Sequence, residues 1–250
     1  MVKRFFLLCI ILTALFMTGS VYAYDHGLPN MNTPSQIEKR DLEFRIQHRF
    51  YGIVSEDPLS NFFGMTEGVN ASLGLRYKAW DRVEFDAAYT FDFKEYTLSA
   101  RFGPLYKNDY LFNQVEVQYF NFEESAGERS GNVYVELALQ TAPIVNIVIP
   151  ALTVGYDFDL QHAILGIGSL FRVTDKLYLS GEYFPLIDTG NNEDFGDKSA
   201  YALGVVLHTW RHHFVFTLGN SFEIGQRRIS TGTADYKLRF GFNIQRLFSL

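Results

Sequence analysis

The residues best placed for chemistry are charged and recur two apart. Arg76 and Lys78 are followed, after a short break, by Glu84 and Asp86, a spacing that in a hairpin sets two cations opposite two carboxylates. Carboxylates two apart on one face could exchange protons in acid–base catalysis, but cations within reach make ion pairing the simpler role. The same rhythm places Glu43, Arg45, Arg49, Arg101, Glu116, Glu136, Arg172, Glu182, Lys237 and Arg239 on the polar parity of their segments. His208, His212 and His213 surround one short turn and could offer imidazoles to a divalent metal. No acid lies nearby to complete a ligand shell, so they read as polar residues of an interface. The acidic stretch 188–197 departs from the spacing of a calcium loop and reads as a solvated connection. Ser72, Ser99 and Ser180 stand on polar positions, but on different segments from His208, taken as the only histidine of that parity, and Gly-x-Ser-x-Gly does not occur. The expectation is a protein with no catalytic group, no metal site and no cofactor.

What must position these charges is a series of strands. Leu42, Phe44, Ile46, His48 and Phe50 alternate with Glu43, Arg45, Gln47 and Arg49, the period of a two-faced strand. Similar alternation runs through 69–78, 83–92, 95–102, 114–119, 133–140, 146–158, 165–172, 177–183, 201–208, 214–219 and 236–250. In the fifth, Phe120 and Phe122 interrupt the polar parity; in the seventh, Pro150 requires a bulge or an unpaired amide. In the last, Tyr236, Leu238, Phe240, Phe242, Ile244 and Phe248 share one side, interrupted only by Arg246. About twelve strands leave no room for a second domain.

Composition narrows the compartment. Of 250 residues, 47% are hydrophobic and 20% charged, with 24 Phe and 15 Tyr, and the net charge of −6 lacks a cationic run that would mark a nucleic-acid partner. Lys3 and Arg4 precede an apolar run ending near Met17, and Val21-Tyr22-Ala23 has the small residues a signal peptidase reads. Residues 1–23 are therefore expected to be a cleaved export signal, 24–39 a polar lead-in serving as a tail or partial plug, and 40–250 the folded domain. Cleavage removes two basic residues and Cys9, which takes the net charge to −8 and leaves no cysteine for a disulfide. No later apolar run is long enough for a spanning helix.

Period two allows either a soluble barrel or sandwich with its apolar face inward, or a membrane barrel with that face outward. Three features favour the membrane. Connections 52–66, 123–132, 185–199 and 222–233 are long and polar, whereas those near Trp80, Pro143, Thr174 and Trp210 are tight; those after strands three and seven are short where the alternation of a membrane barrel expects length. Trp80 and Trp210 fall on tight turns of the same parity, where both would anchor at one water–lipid interface. The charged parity carries both signs and suits a wet lumen. The predicted fold is an all-β, antiparallel, up-and-down transmembrane barrel with short periplasmic turns and longer external loops.

Several short motifs resemble an uncharacterised family of Gram-negative outer-membrane β-barrels, a membrane-bound barrel domain of unknown function. They are His48-Arg49-Phe50, Thr174-Asp175-Lys176-Leu177 with Glu182-Tyr183, His213-Phe214 with Asn220-Ser221, and Arg239-Phe240-Gly241-Phe242-Asn243-Ile244 with Arg246 and Phe248. Where family members tend to have glycine directly after His-Arg-Phe, this chain has Tyr51 and then Gly52. The resemblance implies a barrel in the outer membrane and supplies no catalytic residues.

The function expected is a non-catalytic outer-membrane barrel, a narrow pore or small-solute transporter, its lumen lined by the charges above and by Gly74, Gly155, Gly168, Gly204 and Gly241. An outer-membrane lipid or peptide hydrolase and a soluble periplasmic barrel for an apolar ligand are the alternatives. The expected partners are outer-membrane lipid, a small solute and the barrel-assembly machinery, which would read the alternating aromatic last strand.

Overall fold

A computed structural model describes residues 28–34, 37–106, 109–125, 127–187 and 195–250. The export signal, the first part of the lead-in and 188–194 of the acidic stretch lie outside them. Among the described residues the strands are β1 (Asp41–Ile53), β2 (Val69–Trp80), β3 (Val83–Thr90), β4 (Glu95–Phe102), β5 (Leu111–Ser125), β6 (Glu128–Thr141), β7 (Val148–Asp157), β8 (His162–Arg172), β9 (Leu177–Phe184), β10 (Ala200–His208), β11 (His212–Gly219) and β12 (Arg239–Ser249). Each pairs antiparallel with its neighbour in sequence, and β1 pairs with β12 to close the barrel.

The alternation resolves the choice of faces. Leu75, Leu98 and Leu203 are 49%, 59% and 62% exposed on the outside, while Glu43, Glu84 and Glu136 are 1%, 1% and 2% exposed inside. A soluble barrel would bury the first set and solvate the second, since apolar area removed from water is its main driving force. Here the apolar side meets lipid, and closure leaves no unpaired edge within the bilayer.

The ends of the barrel differ. Connections 54–68 and 220–238 and the described residues 185–187 and 195–199 lie at one end; at the other lie the tight turns bearing Trp80 at the end of β2 and Trp210 between β10 and β11, both exposed. The long polar connection expected at 123–132 is instead strand. The β5–β6 ladder continues through Phe122↔Ser130 and Glu123↔Arg129 to Ser125↔Glu128, and its hydrophobic period fades because that ribbon leaves the lipid while its backbone bonds persist. Pro150 needs no bulge: the β6 ladder ends at Gln140↔Ala151, so its missing N–H costs no bond there, while it stays in register with Ser169 of β8. Phe120 and Phe122 keep strand geometry and point inward. The 220–238 connection is no free loop either. It folds into the mouth and carries a short helix, α1 (Gln226–Ile229).

Candidate functional site: a plugged lumen

The inner wall from β1 to β6 is an ion-pair lattice set by register. The β2–β3 hairpin places Arg76 opposite Asp86 and Lys78 opposite Glu84. Arg76 Nε lies 3.4 Å from Asp86 Oδ2 and Lys78 Nζ 3.3 Å from Glu84 Oε1. From β1, Arg45 Nη2 reaches the same Asp86 at 2.6 Å, and Arg101 Nε of β4 lies 2.8 Å from Glu116 Oε2 of β5. Side chains two apart on one strand and opposite on the next are close enough for such pairs, and burial makes each depend on its partner.

Residues 28–33 of the lead-in cross the lumen as a plug. The amides of Asn30 and Met31 donate to Glu182 Oε2 at 2.9 and 3.0 Å, and Asn30 Nδ2 donates to Oε1 at 2.6 Å. Arg49 Nη2 donates to the Pro29 carbonyl and to Asn30 Oδ1, both at 2.8 Å, and Asn243 Nδ2 donates to the Pro29 carbonyl. Asn32 Nδ2 donates to Glu136 at 2.6 Å and Glu116 at 3.2 Å, while its Oδ1 accepts from Arg101. The plug thus bonds to charged groups on five strands and to Asn243 on a sixth, and hydrogen bonds to charged groups are the stronger kind.

From β7 to β11 the inner wall carries an apolar cluster set among buried polar groups that include Thr153, Asp157, Ser180, Glu182 and His213. Ala151, Leu170, Tyr178, Phe184, Ala200, Val206 and Val215 form one buried cluster with Leu28 and Met31 of the plug and Ile229 of α1. The lumen glycines accommodate this filling rather than a solute. A Cβ at Gly168 would sit 3.0 Å from Leu28 Cδ1 and from Met31 Sδ, and one at Gly155 would sit 2.5 Å from the Tyr134 hydroxyl.

The helix α1 packs against the inner wall at the long-loop end. Arg227 and Arg228 both donate to Glu95, Arg228 Nη2 at 2.7 Å, and Arg227 Nη1 lies 3.3 Å from Asp157 Oδ2. Just before the helix, burial pushes the carboxyl of Glu223 up to about 7, against the opposing pull of Arg228. Between plug, α1 and the charged wall lies a polar cavity of about 120 Å³, lined among others by Arg45, Arg76, Asp86, Arg101, Glu116 and Gln118.

Arg45, Arg49, Arg76, Lys78, Glu84, Asp86, Arg101, Glu116, Glu136 and Glu182 all face this interior. Of the three other lumen candidates, Lys237 lies off the wall, while Arg239 and Arg172 keep the inner parity at the two ends of the barrel. Lys237 precedes β12 and pairs with Glu56 at 2.8 Å in the open, since the strand does not begin until Arg239. Arg239 itself sits at the rim, its Nη1 3.0 Å from Asp235, and Arg172 ends β8 beside Asp175 at the tight-turn end. Tyr236 and Leu238, expected within the last strand, likewise fall in the connection before it; Phe240, Phe242, Ile244 and Phe248 lie on β12. His208 is not alone on the inner parity. His213 and His162 also face inward, whereas alternation sends His212 outward to Arg246 and Phe214. Ser72 is bonded to Thr90, and Ser180 packs against the open position of Gly204.

Sequence reasoning missed Asn30, Asn32, Glu95, Asp157, Arg227 and Arg228. The paired arginines in a polar connection and the polarity of a lead-in with Asn-Met-Asn were visible signals, but only the closed barrel brings them to the wall.

Fold and interior together define a membrane β-barrel closed by its own N-terminal segment and one infolded connection. The chain matches the model of the membrane-bound beta-barrel domain family (DUF5777) over residues 26–123 and 136–248 and belongs to that family. No curated protein matches it in sequence. Among solved structures it is similar to the outer-membrane protein Omp33 of Acinetobacter baumannii (11% identity, 84% of this chain and 99% of that one, TM-score 0.45). It is also similar to outer-membrane phospholipase A of Escherichia coli (10%, 94% and 96%, TM-score 0.49) and to an outer-membrane channel of Pseudomonas putida F1 (10%, 92% and 100%, TM-score 0.45).

Proposed function

We propose that this protein is a non-catalytic pore of the outer membrane, of narrow bore, that admits small hydrophilic solutes when its plug and infolded connection move. In this reading the signal at 1–23 exports it, the assembly machinery recognises the outward aromatics of β12, and lipid surrounds it, with the long connections outside the cell. One observation carries the reading: the polar cavity of about 120 Å³ lies between an ion-paired wall and two segments that are not part of that wall. A barrel stabilised only as a solid body would have no need of a wet, charged chamber, because buried ion pairs seldom gain over well-packed apolar side chains.

The test is single-channel recording in planar bilayers, comparing the refolded wild type with a variant lacking residues 28–34. The wild type should conduct weakly or in rare openings, and the deletion should raise mean conductance about tenfold or more. Equal and negligible conductance in both folded proteins would end the pore reading.

A further inference from the structure

Phe120 and Phe122 stand on inward positions of β5 that follow Gln114, Glu116 and Gln118 of the same parity. Large apolar rings facing a wet lumen are unfavourable unless covered; Phe120 packs with Tyr134 and Ile164, with Phe122 against them, and what lies over the remaining ring faces is cationic. The guanidinium carbon of Arg227 lies 3.6 Å from the ring centre of Phe120; that of Arg228 lies 4.1 Å from Phe93 and 4.6 Å from Phe122. Glu95 and Asp157 close the sides by accepting from these arginines. Ring faces attract cations most where water is excluded, and a guanidinium can stack on a ring and bond a carboxylate at once.

The wall supplies the entire receptacle: Phe93 before β4, Glu95 on it, Phe120 and Phe122 on β5, Asp157 on β7. Its contents come from the 220–238 connection, which is held on either side of the helix by the Asn70 Nδ2 bond to the Phe222 carbonyl and by the Lys198↔Thr233 bridge. We propose that this receptacle is a binding site for guanidinium-type organic cations arriving from the long-loop side, and that Arg227 and Arg228 occupy it as a tethered ligand which a free cation displaces. Displacement frees the mouth, and in that consequence alone the proposal rests on the pore reading. Tethering gives the loop arginines an effective concentration in the millimolar range, so a free cation competes in the wild type only at comparable concentration and binds readily once the arginines are gone.

The probe is methylguanidinium, titrated calorimetrically in detergent into the wild type, the Arg227→Gln/Arg228→Gln variant and that variant with Glu95→Gln added. The double variant should bind at least about tenfold more tightly than the wild type, Glu95→Gln should remove that gain, and glutamate should not bind. In the wild type, methylguanidinium chloride should speed amide exchange across 226–230 relative to equal sodium chloride, with the strands unchanged. A folded double variant that binds no better than the wild type overturns the site. If that variant does not fold, the wild-type exchange decides: no acceleration at 226–230 also overturns it. Binding without any change in conductance, measured in a variant that also lacks residues 28–34, would leave the site standing and remove the pore reading instead.

Discussion

From β1 to β6 the inward positions carry Glu43, Arg45, Arg76, Glu84, Asp86, Arg101, Glu116 and Glu136; from β7 to β11 they carry mainly Ala151, Leu170, Phe184, Ala202, Val206 and Val215, with the carboxylates Asp157 and Glu182 among them. Both halves face the same lumen through the same strand geometry, yet one holds a polar, ion-paired cavity and the other packs an apolar cluster against Leu28, Met31 and Ile229. The difference teaches what the plug is for. Its Leu28 and Met31 enter the apolar cluster while Asn30 and Asn32 bond the charged groups of Glu182, Arg49, Glu136, Glu116 and Arg101, so it docks in one orientation.

The sharpest way to break this comparison is to place the same charge in both halves. Val206→Asp buries a carboxylate in the apolar cluster and should cost about 3–5 kcal/mol, whereas Ser99→Asp, opposite Asp86 but beside Arg101, should cost clearly less, about 1–2 kcal/mol. Urea titrations followed by heat-modifiable gel mobility measure both; equal losses would mean the halves do not differ in polarity. Charge on the outer face comes next. Phe242→Arg should cost about 2–4 kcal/mol near mid-bilayer, against little for Gln118→Arg, which lines the cavity. Asn243 would be a poor inward control, because its side chain bonds Arg49 and the Pro29 carbonyl, so an added cation there disturbs the plug.

A smaller effect tests the plug's polar side. Asn30→Ala removes a donor from Glu182 and should weaken docking by about 1–3 kcal/mol, visible as faster amide exchange in residues 28–34 and more frequent openings; unchanged exchange would show that the apolar contacts alone hold the segment. The smallest effect is the pH response of the infolded connection. Glu223 faces Arg227 and Arg228 from its own connection, Asp92 and Glu95 from the β3–β4 side and Tyr51 from β1, and burial raises its carboxyl from 4.5 to about 7. The docked state therefore holds a proton that the undocked state releases. Docking is favoured in full below the ordinary carboxylate range and weakens as pH rises through about 7. Amide exchange in 226–230 should be faster at pH 8 than at pH 5.5 after correction for intrinsic rates, and Glu223→Gln should flatten the difference.

The strands were legible because each face of a strand meets one solvent, so Leu73 and Leu75 against Arg76 and Lys78 already specify a two-sided wall. The reading faltered where a residue's surroundings are supplied by distant chain. The 123–132 stretch looked like a loop because beyond the lipid neither face must be apolar, and Phe120 and Phe122 looked like irregularities because their partners, Arg227 and Arg228, lie a hundred residues away in sequence. Lys237 kept the right parity but lies ahead of the first residue of β12.

By itself the sequence determined the barrel, the number of its strands and which parity is charged, since those follow from local alternation and the hydrogen bonding of an antiparallel chain. Only the tertiary structure decided that the lumen is occupied. A plug is a fit between segments with no periodicity of their own, Asn30 to Glu182 or Leu28 over Gly168, and such a fit exists only after closure has brought β1 against β12 and set the opposite walls within reach of one side chain.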